Sequence, residues 1–434
     1  MWFNESVFYQ IYTLNFCGAP DFNDGKLQHR ILRVNDFADY LEDLGIKGVY
    51  FNPLFSSDRH GYDTRDFRKL DERLGDNDDL KNVIKNLHDH GIKVVLDGVL
   101  NHVGRGFFAF KDVLEKKWDS PYKDWFRIDF NGNSNYNDGF WYEGWEGHYE
   151  LVKLNLDNPE VQNYLLDSLR FWINEFDIDG LRLDVAYLLP RWFMAMVSDT
   201  AKSIKPGFFM VGEVLGDNAG YMFSEGKLDS ITDYPSYKGF WSSFNSLNMF
   251  EIAHTLKRNM FEMYRGKSLL TFLDNHDVDR IATKLEDKDK LPLLFGLQMA
   301  LPGIPCIYYG SEWGQEGKKI PGQPDDALRP EFTKPMPNEL TDIVKNFIKI
   351  RSEHPALSVG SFKEIRLTNR QYVFEREYNG ERIIVALNID NQEYDLHFDA
   401  RAGRGLDLVT GKDHDFGGGS KLPPMSISYW LTEC

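Results

Sequence analysis

The sequence predicts an α/β fold: a (β/α)8 TIM barrel with a long excursion after its third strand and a C-terminal antiparallel β-sandwich domain. Three observations predict it. Short apolar runs alternate with amphipathic stretches, as strands and helices do in a parallel sheet. There are eight such runs, enough to close a barrel. Beyond Leu357 the helix-like stretches give way to short alternating strands.

The apolar runs come in order as "VFYQIYTLNF" from Val7, "GVYFNPLF" from Gly48, "KVVLDGVLNH" from Lys93 and "GLRLDV" from Gly180. "FFMVGEV" from Phe208, "SITDYP" from Ser230, "LLTFLDNHD" from Leu269 and "PCIYYG" from Pro305 follow. Between them, "NDFADYLEDLG" places Phe37, Ala38, Leu41 and Leu44 at helical spacing and closes on Gly45. "NDDLKNVIKNLHDHG" and "NPEVQNYLLDSLRFWINEF" share that period. The third run is followed by a connection rich in Trp, Tyr, Asn and Gly, too long for an ordinary turn. The expected boundaries are a barrel over 1–102 and 159–357, an excursion over 103–158 and a β domain over 358–434. That last domain is read from "RQYVFEREY", "ERIIVALNI", "YDLHFD" and "SISYWL".

The net charge of −17 argues against nucleic acid and anionic membranes as partners, since each needs a positive footprint. No apolar run reaches the roughly 18 residues of a membrane span. The N-terminus lacks a basic start followed by an apolar core, so the expectation is a cytoplasmic protein; a secreted form that has lost its leader stays open. Cys17, Cys306 and Cys434 show neither metal nor disulfide spacing. Aromatic residues at 15% fit a large core or a surface on which sugar rings stack. Oligomeric state leaves no trace in the sequence.

"GLRLDVAYL" carries two charges in an otherwise apolar strand. Arg182 and Asp184 are two residues apart and so share a face. Barrel sites lie at the C-terminal strand ends. There the third strand brings Asp97, Asn101 and His102, the fourth Arg182 and Asp184, the fifth Glu213, and the seventh Asp274, Asn275, His276 and Asp277. Arg182 is expected to lower the Asp184 pKa, suiting a nucleophile. Glu213 follows an apolar run without an adjacent cation, which raises its pKa and suits a general acid. Such a pair serves glycoside hydrolysis. The bland alternative is a buried Arg182–Asp184 ion pair. A Mg²⁺ site is disfavoured, because an arginine beside a ligand opposes a cation.

With "DGVLNH" at Asp97, "GLRLD" at Gly180, "GEV" at Gly212 and "FLDNHD" at Phe272, the chain resembles the α-amylase family, glycoside hydrolase family 13, from about Val7 to Cys434. The resemblance implies Asp184 as nucleophile, Glu213 as acid/base and Asp277 as transition-state stabiliser. It implies that Arg182, His102 and His276 hold the sugar at the −1 position. Tyr62 in "HGYDTRDF" resembles the aromatic platform under that sugar and Asp63 its polar partner; Arg329 in "ALRPEF" resembles the arginine that pairs with this aspartate. "LVKLNLDNPEV" resembles a motif of the cyclomaltodextrinase, neopullulanase and maltogenic amylase group. The extra N-terminal domain of that group is not expected here, because the first strand begins almost at Met1. Tyr187-Leu188 stands where many starch-degrading α-amylases carry Lys-His.

The implied reaction is retaining hydrolysis of α-1,4 bonds in maltodextrins or related α-glucans, including cyclodextrins or pullulan. A 4-α-glucanotransferase using the same carboxylates is the alternative. Trp141 and Trp145 in the excursion are candidates to stack on glucose. Asn101 matches a calcium ligand of typical α-amylases, and "DFNDG" at Asp21 resembles a shortened metal loop. Neither supplies enough oxygens alone, so no cofactor is expected to be required and calcium is the open alternative.

Overall fold

A computed structural model describes residues 1–216, 218–323 and 325–432; Cys434 lies outside the described residues. The eight expected strands form one parallel sheet: β1 (Phe8–Ile11), β2 (Gly48–Phe51), β3 (Lys93–Gly98), β4 (Gly180–Leu183), β5 (Phe209–Gly212), β6 (Ser230–Ile231), β7 (Leu270–Phe272) and β8 (Ile304–Tyr308). Their order is β6-β5-β4-β3-β2-β1-β8-β7. A parallel bridge from Thr232, just past β6, to Leu270 of β7 closes the barrel.

The helices form where the spacing places them. Asp76 caps Asn77–Asp89 by a capping box with Asp79. Ala38–Leu44 ends on Gly45 at φ 89°, which only glycine adopts without strain. The nearly uninterrupted apolar helix Leu291–Ala300 is buried on all sides, with the barrel beneath it and the C-terminal sheet above.

The excursion has its own architecture. His102–Gly104 pairs antiparallel with His148–Lys153, which continues onto Gly144–Trp145. Phe108–Lys116 packs as a helix alongside the Ile128–Asp129 and Trp141–Tyr142 ribbon.

The C-terminal strands β9 (Ser361–Leu367), β10 (Gln371–Tyr378), β11 (Glu381–Asn388), β12 (Arg404–Asp407), β13 (Lys412–Asp415) and β14 (Ser426–Thr432) form one antiparallel sheet in the order β9-β10-β11-β14-β12-β13. The expected sandwich is lopsided: the second layer is a two-stranded ribbon, Tyr394–Leu396 with Ser420–Leu422, covering Val373, Ile384 and Trp430. The other face needs no second sheet, because it packs on barrel helices. There Tyr429 donates to Gly296 O and Arg376 Nη1 donates to Ala300 O at 2.7 Å.

Candidate active site

The registers of β3, β4 and β5 align Arg182 with Asp97 on one side and Val211 on the other. Arg182 is therefore buried at the centre of three carboxylates. Its Nη1 donates to Asp97 Oδ1 at 2.9 Å and to Asp184 Oδ1 at 2.8 Å, while Nη2 lies 2.7 Å from Glu213 Oε1. Val185 adopts φ 40°, a left-handed conformation costly for a β-branched residue. That turn aims its N–H at Glu213 Oε2, 2.8 Å away.

The expected pKa contrast needs correction. Burial pushes the Asp184 carboxyl well above the usual carboxylate range, with Arg182 opposing it, so Asp184 is raised rather than lowered. Burial also raises Glu213 and Asp97 against the same arginine. One guanidinium divided among three acids cannot neutralise them all, and Glu213 has an adjacent cation after all, supplied by the neighbouring strand. The carboxylates titrate as a set.

Asp277 stands apart, with 37% of its side chain exposed to the cleft. Burial works upward on it, but His276 through its Nε2–H, together with the cations Arg329 and Arg182, overcomes that and holds the carboxyl below its ordinary range. Burial takes His276 and His102 down to about 3, so both imidazoles are neutral and Arg329 is the cation beside Asp277. Gln10 Nε2 faces His276 Nδ1 at 2.9 Å, which leaves the proton on Nε2, 2.6 Å from the Tyr62 hydroxyl and 3.0 Å from Asp277 Oδ2.

Tyr62, His102, Trp145, Asp184, Glu213, Asp277 and Arg329 line one cleft of about 680 Å³, within the range of ligand sites. Arg182, Asp97 and His276 lie directly behind that lining. Two buried polar atoms of the lining, His102 Nε2 and Trp145 Nε1, have no hydrogen-bond partner in the protein. A ligand rich in hydroxyls would satisfy them.

Two placements differ from expectation. Arg329 does not pair with Asp63: its Nη2 reaches Asp277 at 3.3 Å and Asp325 at 3.2 Å. Asp63 is instead buried near His60, whose Nδ1 is 3.7 Å away. Trp141 is not in the lining. Its indole N–H donates to Tyr149 Oη at 2.9 Å on the outer side of the ribbon, because residues of a strand alternate in facing and its strand neighbour Tyr142 takes the buried side. Asn101 turns its amide to His102 Nδ1 at 3.2 Å. Among the described residues, the one cluster of His, Cys, Asp and Glu with metal-like spacing is His29, Asp76 and Asp79. That cluster is accounted for by the helix cap.

Sequence reasoning passed over Gln10, Tyr12, Tyr50, Asn52 and Tyr234. Gln10 carried the same signal as Arg182, a lone polar residue in an apolar strand. Asn52 joins Gln10, Tyr62 and Asp97 by hydrogen bonds of 2.8, 3.0 and 3.3 Å. Tyr12 stacks on His276 with ring centroids 5.6 Å apart.

A barrel whose mouth gathers these carboxylates, neutral histidines and aromatic rings has the build of a glycoside hydrolase. Residues 10–354 match the family model described as alpha amylase, catalytic domain, and the chain belongs to the alpha-amylase family. It is 33% identical over 425 residues to a cyclomaltodextrinase of Thermoanaerobacter pseudethanolicus, covering 90% of this chain and 71% of that one. It is 32% identical over 438 residues to a maltogenic alpha-amylase of Bacillus acidopullulyticus, covering 92% and 72%. The fold superposes on the cyclic alpha-maltosyl-(1→6)-maltose hydrolase of Arthrobacter globiformis with a TM-score of 0.84, at 25% identity and with both chains fully covered. Among the described residues, no helix is long and apolar enough to cross a membrane.

Proposed function

We propose that the protein hydrolyses α-1,4-glucosidic bonds of maltodextrin-type α-glucans with retention of configuration. The observation that carries this reading is that the two ends of one guanidinium hold Asp184 and Glu213. Groups gripped that closely fit the ~5–5.5 Å spacing of a double displacement better than the ~6.5–9.5 Å of an inverting pair.

The reactive form has Glu213 protonated and Asp184 ionised. Glu213 gives its proton to the glycosidic oxygen as Asp184 Oδ2, the oxygen not bonded to Arg182, attacks C1. The leaving sugar departs and a glycosyl ester remains on Asp184. Glu213, now ionised, takes a proton from water, whose oxygen attacks C1 and frees Asp184. Asp277, held ionised by Arg329, faces the positive charge that develops on the ring. His102 and His276 are neutral, so they can hydrogen-bond sugar hydroxyls without adding charge of their own.

The reading extends to a metal-independent enzyme, in which the Asn101 side chain serves to fix the loop after β3 through its Nδ2 contact with His102 Nδ1. It extends also to a cytoplasmic setting, with which the buried free thiols Cys17 and Cys306 are compatible.

Asp184→Asn is expected to fold and to lose several orders of magnitude in kcat on maltoheptaose. NMR is expected to show α-configured product first. A variant within tenfold of wild type, or a β-configured first product, would contradict the assignment. The same assay after dialysis against EDTA tests metal independence: activity lost and restored by calcium overturns that part.

A further inference from the structure

We propose that Arg59 and Phe22 form a further sugar-binding subsite at the glycone end of the cleft, beyond the glucose held at Tyr62. This rests on the hydrolytic reading above. Glu213 must face the leaving group, so the aglycone lies toward the loops after β4 and β5, where Tyr187 and Leu215 line the cleft. The glycone chain then runs the other way, over the loops after β1, β2 and β8. There the lining is Asp21, Arg59, His60 and Asp325.

Phe22 is 64% exposed, and the Arg59 guanidinium carbon sits 4.5 Å from its ring centroid. Stacking on the ring flattens and orients the guanidinium. Among the described residues no carboxylate pairs with Arg59, so its N–H edge is unspent. A guanidinium fork presents paired donors, which suit the vicinal 2- and 3-hydroxyls of a glucose unit, and the ring of Phe22 offers apolar surface to the C–H face of the next.

The pair is built rather than incidental. Arg73 is buried, and its Nη1 donates to Pro20 O at 2.8 Å, Asp21 O at 3.0 Å and Arg59 O at 2.6 Å. One side chain thus pins the two segments carrying Phe22 and Arg59 to each other. Asn23 adds a second tie, with its N–H on Asp58 O at 3.0 Å and its amide on Ser57 O at 3.0 Å. A binding surface on a loop so held needs little ordering when ligand arrives.

The test compares two substrates. α-Glucosyl fluoride fills only the −1 position, whereas maltoheptaose reaches the glycone end. In Phe22→Ala and in Arg59→Ala, the ratio of kcat/KM for maltoheptaose to that for the fluoride is expected to fall about tenfold, through KM rather than kcat. Phe22→Trp should restore it. An unchanged ratio in both alanine variants would overturn the subsite. Wild-type protein that cleaves neither substrate would instead overturn the hydrolytic reading.

Discussion

Glu312 is a buried carboxyl that the chemistry does not use. Tyr9 and Tyr40 donate to its Oε1 at 2.7 and 2.9 Å, and Oε2 has no partner in the protein. Burial, opposed by those hydrogen bonds, lifts its pKa from 4.5 to about 7. The folded state therefore favours the protonated acid. That contribution is complete below pH ~4.5 and is lost as pH climbs through ~7, at a cost of about 3 kcal/mol. Glu312→Gln keeps the acceptor oxygen and cannot ionise. Between pH 5 and 8 the Tm of wild type should fall further than that of the variant; parallel profiles would place the titrating group elsewhere. At this scale much of the site was legible, because charge in an apolar strand is costly and so marks a purpose. Arg182 and Asp184 declared themselves that way. The protonation pattern did not, since it depends on strand register: Leu183 pairs with Gly212, which sets Glu213 beside Asp184 and gives it the arginine that its own sequence lacks.

Among the elements, the excursion decides how the cleft is roofed. Its three-stranded sheet turns Trp145 inward, with its ring 5.8 Å from that of His102, and its two-stranded ribbon leaves Trp141 37% exposed on the outer side. Trp145→Ala should raise KM for maltoheptaose by about tenfold, since an aromatic platform and a buried donor are lost together. Trp141→Ala should leave KM within about twofold. The reverse ranking, measured from initial rates, would show that the ribbon faces the other way in solution. Composition pointed to both tryptophans and could not choose, because strands of two residues offer no alternation to read. The barrel strands were legible for the opposite reason: each is a run of apolar residues between turn signals.

Across the whole molecule, the barrel and the C-terminal sheet share one apolar core. Tyr372, Phe374, Val385 and Tyr429 from the sheet pack with Phe347, Leu294 and Leu297 from barrel helices. Neither part is covered without the other, so calorimetry should record one unfolding transition. Two well-separated transitions would mean that the parts are independent. The change from helical to alternating pattern near Leu357 revealed where one architecture ends, but not that the two parts share one apolar cluster. The helix Leu291–Ala300, apolar but for Gln298, was the sign of it.

The closure of the barrel adds a mechanical asymmetry. Four residue pairs join β4 to β5 and four join β1 to β2, whereas β6 is two residues long and meets β7 through the single Thr232–Leu270 bridge. Pairing is dense over most of the ring and thin around β6, which two pairs join to β5 and one bridge joins to β7, and that joint is where the ring is most compliant. Asp184 and Glu213 ride together on the densely paired arc, locked by Arg182, and Asp277 stands across the joint. Any give in the ring is thereby directed into the width of the cleft, and the spacing of the two reacting carboxyls is spared.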